Sequence, residues 1–259
     1  MWIDTHCHLT YPGLAEQTAA ALQRAQAAGV TRLITIGTSV EDHPGVVTLT
    51  RQHAAVFGAL GIHPHHAGEA GDDYERFVEN LIAHETKVLA VGECGLDYHY
   101  DYAPKLLQKG VFLNQLEIAR RVHKPVVLHV REAHADALAI MKDFGDLLFV
   151  VHCFTGTPAE CRGWLDLGAY VGFTGIVTYK NAPEVRESCK LVPAERLLVE
   201  TDAPYLPPEP VRSQKPCEPA YVAHTGEFVA QLRGVSAEEL ARQTTENALR
   251  IFGPALAGV

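Results

Sequence analysis

The sequence opens with Asp4-Thr5-His6-Cys7-His8, in which two imidazoles stand two positions apart. In extended backbone successive side chains point to opposite faces, so His6 and His8 share one side and Cys7 takes the other. Such a pair can chelate a divalent cation. Acids and histidines recur at the ends of later apolar runs: Gly92-Glu93-Cys94-Gly95-Leu96-Asp97, Leu128-His129-Val130-Arg131, Val151-His152-Cys153 and Glu200-Thr201-Asp202-Ala203-Pro204. His6, His8, Glu93, His129, His152 and Asp202 form a set of imidazoles and carboxylates suited to two borderline cations, because a carboxylate can bridge ions and imidazoles bind end-on. Taken singly, each has a plainer reading. A strand-end histidine can be a hydrogen-bonded structural residue, Glu93 a loop or cap carboxylate, and Asp202 a turn starter ahead of Pro204. Burying all six together without metal would be costly, so the set carries the metal reading.

Other residues are candidates of a different kind. Arg131, two positions past His129, is expected on the same side, where it could hold a phosphate through a bidentate contact; the alternative is a helix-start ion pair with Glu132 or a neighbour. His63 and His65 frame Pro64, one expected to touch substrate and the other to be exposed. Asp97 could orient a ligand histidine or cap the following helix. Cys7, Cys94 and Cys153 each follow a proposed ligand by one position, and the pleat should turn all three away into packing.

The elements needed to bring these positions together can be read from the apolar runs. Strands are expected at Trp2–His6, Arg32–Gly37, Val56–Ile62, Val88–Gly92, Pro125–Val130, Leu147–Cys153, Tyr170–Thr174 and Leu197–Thr201. Near-continuous apolar strands belong to parallel sheets buried on both faces. Helix patterns lie between them. Leu106 to Glu117 shows mixed faces, Thr157-Pro158-Ala159-Glu160 orders a cap, a first-turn proline and a capping-box acid, and Ser236-Ala237-Glu238-Glu239 repeats the box. Eight such strands alternating with helices predict one (β/α)₈ TIM barrel over 1–259 with a C-terminal helical extension; barrel catalytic groups sit at C-terminal strand ends. The proline-rich stretch from Pro207 to Pro219 is expected to be either a substrate-facing loop or a plain connector.

Composition agrees with this picture. A length of 259 residues, 47% hydrophobic, suits one barrel and buries a full core without a structural metal. The six cysteines form no Cys-x-x-Cys pair and are expected to be reduced thiols. No basic or apolar leader pattern is visible at Met1-Trp2-Ile3-Asp4 and no apolar run reaches the length of a membrane span, which points to a cytoplasmic protein without a membrane partner. The net charge of −9 argues against coating nucleic acid through a basic surface. It leaves room for a nucleic-acid enzyme, because two divalent ions would add about +4 at the site itself. Gly-x-Ser-x-Gly, Gly-x-x-x-x-Gly-Lys-Ser/Thr and Gly-x-Gly-x-x-Gly motifs are absent, so serine-hydrolase, P-loop and dinucleotide chemistries lack their anchors.

With these residues in view, the chain resembles the TatD family of metal-dependent deoxyribonucleases of the amidohydrolase superfamily, nearly end to end. The resemblance rests on Asp4-Thr5-His6-Cys7-His8, Gly61-Ile62-His63-Pro64, Gly92-Glu93-Cys94-Gly95-Leu96-Asp97, His129-Val130-Arg131-Glu132-Ala133, His152-Cys153-Phe154-Thr155-Gly156 and Glu200-Thr201-Asp202-Ala203-Pro204-Tyr205-Leu206. It implies that His6, His8 and Asp202 hold one divalent ion, that His129 and His152 help hold a second, and that Glu93 bridges them. It also implies hydrolysis of DNA phosphodiesters, with single-stranded DNA as partner and no obligate protein partner. One segment departs from the pattern: Lys215-Pro216-Cys217-Glu218-Pro219 stands where relatives usually carry an Arg-Asn-Glu-Pro-like run.

The expected chemistry is a metal-dependent phosphodiesterase acting on strand ends, the cations being Mg, Mn or Zn. Glu93 and Asp202 are its catalytic carboxylates, Asp202 accepting the proton of the attacking water. His63 and Arg131 are the expected contacts to substrate. Two other readings use the same residues: an amide, ester or lactone hydrolase, including one acting on aminoacyl-RNA esters, and a non-enzymatic binding scaffold.

Overall fold

In the computed structural model, which describes residues 1–71 and 73–257, the eight apolar runs become eight parallel strands. They are β1 (Trp2–Cys7), β2 (Val30–Gly37), β3 (Val56–Leu60), β4 (Val88–Asp97), β5 (Val126–Arg131), β6 (Phe149–Val151), β7 (Tyr170–Phe173) and β8 (Leu197–Val199). Each pairs with the next in chain order. The ring closes just past the end of β8, where the Asp202 amide donates to the His6 carbonyl at 2.9 Å and the His8 amide to the Ala203 carbonyl at 2.7 Å. This is the TIM barrel expected from the alternation of runs. Positions 258 and 259 of the expected domain span lie outside the described residues.

The helices are α1 (Thr18–Ala27), α2 (His43–Gln52), α3 (Tyr74–His84), α4 (Lys105–Val122), α5 (His134–Met141), α6 (Pro158–Asp166), α7 (Pro183–Leu191), α8 (Val222–Arg233) and α9 (Ala237–Phe252). At α6 both halves of the capping box form between Thr157 and Glu160. At α9 only half forms: the Ser236 side chain accepts from the Glu239 amide, while the Glu239 carboxylate reaches forward to Arg242 and Gln243. A charge-assisted pair with Arg242 is the stronger use of that acid.

Two apolar clusters hold the fold. One joins the outer face of the strands to the surrounding helices, with Trp164 and Phe112 among its largest fully buried members. The other fills the barrel interior with residues from every strand, among them Ile3, Ile34, Phe57, Leu89, Val127, Val150, Tyr170 and Leu198. These stand near the strand starts, and Ala248, Ile251, Phe252 and Leu256 pack with them. The expected helical extension is therefore the floor of the barrel rather than an appendage. Asn247 ties it down by donating to the Ala194 and Leu197 carbonyls.

Two boundaries matter for the site. β4 was expected to end at Gly92 and instead runs to Asp97, so Glu93 lies within a strand. Gly92 and Gly95 make this possible: at φ 139° and 141°, in backbone open chiefly to glycine, they bring β4 so close to β5 that a Cβ on Gly95 would run into the His129 carbonyl. β6 is shorter than expected and ends at Val151. Cys153 sits beyond it at φ 43°, so the alternation assumed for that run does not extend to it.

Candidate metal centre

β1 presents His6 and His8 as the alternation requires, their Nε2 atoms 3.3 Å apart. His8 is oriented from behind, its Nδ1 lying 3.3 Å from the Ile36 carbonyl as a donor would, which leaves the Nε2 lone pair free. Asp202, at φ 57° just past β8, brings Oδ1 to 3.3 Å from His8 Nε2 and 3.7 Å from His6 Nε2. β4 places Glu93 between this group and a second one. Its Oε2 is 3.4 Å from His6 Nε2, while its Oε1 is 2.8 Å from His129 Nδ1 and 2.7 Å from His152 Nε2. The His152 ring stacks on His6 with centroids 3.8 Å apart. All six residues proposed as ligands are thus gathered at one rim.

The donor set fits divalent cations. Imidazole nitrogens and carboxylate oxygens converge in three overlapping groups, His6–His152–Asp202, His6–His8–Glu93 and His63–Glu93–His129, each with its ligand atoms within 4.8 Å of one another. Between two facing imidazole nitrogens at most one proton can serve, so lone pairs left over point into a common space. A cation satisfies them all at once.

The electrostatics keep the acids charged. Burial opposes ionisation of Glu93, yet the imidazoles of His152, His63 and His6 hold its carboxyl well below the usual carboxylate range. Asp202 is also lowered, its burial outweighed by the close imidazole of His8 and by those of His6 and His152. Burial lowers His6, and lowers His63 further. At His152 and His129 burial pulls the same way but is overturned, at His152 by Glu93 and Glu200, and at His129 by Asp97 and Glu93.

Several expectations need adjusting. His63, the expected substrate contact, is largely buried but lines the cleft, with Nε2 3.7 Å from Glu93 Oε1, close enough to join the group that could hold a cation. His65, the one of the pair expected to be exposed, is partly buried, its Nε2 lying 2.9 Å from Asp97 Oδ2. Asp97 holds His129 Nε2 at the same 2.9 Å with that oxygen and accepts from the His99 and Tyr100 amides with the other, so it orients His129 and fixes a turn, not the start of α4. Arg131 lines the same cleft as His129, with its guanidinium 5.0 Å from the Tyr100 ring centroid. Glu132 faces His99 Nδ1 at 2.6 Å instead of pairing with Arg131.

Of the three cysteines, Cys7 and Cys94 are buried as expected, whereas Cys153 reaches the cleft wall because it lies past the strand. The stretch from Pro207 to Pro219 does not face the cleft, whose lining ends at Leu206. It is held down instead, by Glu218 accepting from Arg24 Nε at 2.6 Å and by the Cys217 amide donating to the Pro204 carbonyl.

Residue-by-residue reading missed a supporting layer. Glu200 accepts from the Cys153 amide at 2.6 Å and from the Thr5 hydroxyl at 3.1 Å, and its Oε1 lies 3.5 Å from His152 Nδ1. Asp4 accepts from the Thr201 hydroxyl at 2.6 Å and from the Thr201 amide at 2.9 Å, locking β1 to the end of β8; burial pushes its carboxyl up to about 8. Both acids belong to runs singled out for their neighbours. The signal was an acid within an otherwise apolar strand, which must be partnered if buried.

A family model described as TatD related DNase matches residues 3–253. The chain is 37% identical over 254 residues to an uncharacterized metal-dependent hydrolase, YabD, of Bacillus subtilis, covering 97% of this chain and 99% of the relative. It is 38% identical over 256 residues to a protein of Erwinia tasmaniensis named 3′-5′ ssDNA/RNA exonuclease TatD, covering 96% and 98%. Among solved structures it is similar to YJJV, a TatD homologue from Escherichia coli K12, with a TM-score of 0.92, 32% identity and 97% of each chain covered.

Proposed function

The chain belongs to the TatD-related DNase family, and from that premise we propose that it is a dinuclear phosphodiesterase that removes nucleotides from the 3′ end of single-stranded nucleic acid. The observation that carries the reading is the placement of Glu93, one oxygen beside His6 and the other beside His129 and His152. In this reading His6, His8 and Asp202 would hold one cation, His129 and His152 would hold the other with Glu93 contributing to both, and His63 would be available to either a cation or a phosphate oxygen.

Two divalent cations so held would supply Lewis acidity and an activated water for attack at phosphorus. The chain's own groups do the rest. Asp202, ionised and partly open to the cleft, accepts the proton of the attacking water. Arg131 meets a non-bridging phosphate oxygen with a guanidinium already steadied over Tyr100. Asp97 and Glu200 keep His129 and His152 turned toward Glu93. Mg, Mn and Zn all suit such donors, and supply decides among them.

Six free thiols are in keeping with a reducing compartment, so the proposal places the enzyme in the cytoplasm; among the described residues no helix is long and apolar enough to cross a membrane.

The test is a 5′-labelled single-stranded oligonucleotide incubated with purified protein and Mn²⁺ or Mg²⁺. Stepwise shortening from the 3′ end, lost in His129→Ala, is the expected result. An ester panel at equal enzyme concentration that turned over faster than the oligonucleotide would replace this reading with carbonyl chemistry.

A further inference from the structure

The cleft over the metal donors encloses about 1160 Å³, and its wall is unusual for a protein that acts on a polyanion. Among the described residues lining it, the one permanent cation is Arg131, while Glu132 and Glu160 add negative charge beside the site acids. Single-stranded nucleic acid held by its phosphates needs a track of lysines and arginines, and no such track is present here. Beyond the scissile phosphate, where the cations and Arg131 would act, affinity must come from something other than backbone charge.

The same wall carries exposed aromatic rings. Tyr102 is 67% exposed, Tyr205 52% and Tyr100 41%. Tyr100 and Tyr102 lie on the loop after β4 with ring centroids 5.3 Å apart at 33°. They are not loose. His65 sets its ring 4.7 Å from Tyr102 and edge-on to Tyr100 at 5.3 Å, and His65 is itself held by Asp97, the acid that orients His129. Arg131 covers the Tyr100 ring at 5.0 Å. On the opposite side Tyr205 stands edge-on to Tyr11, 6.2 Å away. Large aromatic faces left in water are unfavourable, and every nucleobase presents a π-face that can cover one.

We infer that Tyr100 and Tyr102 form a stacking platform for the terminal nucleobase of a single strand, so that recognition runs through bases without regard to their identity and hardly through the phosphate chain. The inference rests on the nuclease reading above and deepens it. It assigns Asp97 a double duty, since one carboxylate oxygen positions both the catalytic imidazole and, through His65, the platform. A base seated on Tyr102 is thereby set at a fixed distance from the metal donors.

The experiment compares two oligonucleotides that differ only at the 3′ terminus, one ending in adenosine and the other in an abasic residue, each cleaved by the Mn²⁺-loaded protein. The wild type is expected to favour the base-bearing end by about tenfold or more in kcat/KM. Tyr102→Leu should bring that ratio close to one, mainly through KM, and Tyr102→Trp should restore it. Raising monovalent salt from about 50 to 200 mM should lower wild-type kcat/KM by less than tenfold, against a hundredfold or more for a basic groove. Cleavage of both substrates with the ratio unchanged in Tyr102→Leu overturns the platform and leaves the nuclease standing. Failure to cleave either substrate removes the nuclease reading and the platform together.

Discussion

Asp97 Oδ2 lies 2.9 Å from His129 Nε2, on the side of the imidazole ring away from Glu93. Because the carboxylate accepts, the Nε2 proton is fixed there and Nδ1 is left bare, 2.8 Å from Glu93 Oε1. An asparagine at 97 keeps the size but can present an N–H instead, which favours the opposite tautomer. Asp97→Asn should weaken cation binding or activity about 10- to 100-fold. Isothermal titration with Mn²⁺ and a rate assay read the two effects; wild-type affinity in the variant would refute the tautomer argument.

Removal of divalent cations with EDTA should abolish hydrolysis, and added Mn²⁺ should restore it. The protein should also melt at a lower temperature without metal, since a ligand that binds only the folded state stabilises it. Cleavage that persists after dialysis against chelator counts against the whole metal assignment.

Cation affinity should fall as pH falls. Glu93 and Asp202 are held below the usual carboxylate range and remain ionised at neutral pH. Burial would strip protons from His129 and His152, yet the surrounding carboxylates raise both pKa values above the ordinary 6.5, so these imidazoles keep their protons to higher pH. Each bound cation must displace those protons. Titrations at pH 6, 7 and 8 should therefore show affinity rising with pH and protons released on binding. A flat dependence would mean the cations bind elsewhere.

Lys87 makes a prediction about stability alone. Its ammonium donates to the Thr50 and His53 carbonyls at 2.6 Å each, capping the C-terminal end of α2, where the helix dipole is negative. Lys87→Met keeps the stem and removes the charge, leaving those carbonyls without their partner. Urea unfolding should show a loss of about 1–2 kcal/mol with unaltered turnover.

Gly95→Ala should be far worse than its size implies. The residue sits at φ 141° with the His129 carbonyl directly in the path of a Cβ. Strain of this kind costs about 1–3 kcal/mol before the collision is counted, and relief requires β4 and β5 to part, moving Glu93 and His129. A sharp drop in melting temperature together with lost metal stoichiometry is expected; a protein that melts normally and binds its full complement would contradict the close approach.

The barrel, and the gathering at one rim of the six residues proposed as metal donors, were legible in the sequence because both follow from short-range rules. A period of two places His6 with His8, and apolar runs mark strands whose ends hold the acids. The rules failed where the chain leaves regular geometry. Cys153 escapes the pleat at a positive φ, and β4 continues through Glu93 because two glycines permit an approach that hydropathy cannot express. His65 and Glu200 act through partners 32 and 47 positions away, Asp97 and Cys153, and no local pattern announces such pairs.

The position of α9 has a consequence for how the molecule comes into being. A nascent chain that has completed all eight strands already contains each proposed ligand from His6 to Asp202, yet Ile3, Phe57, Tyr170 and Leu198 still lack the residues that seal them from water. Catalytic competence is then withheld until α9 leaves the ribosome. Protein truncated before position 237 should be recovered as aggregate, not as a slower enzyme.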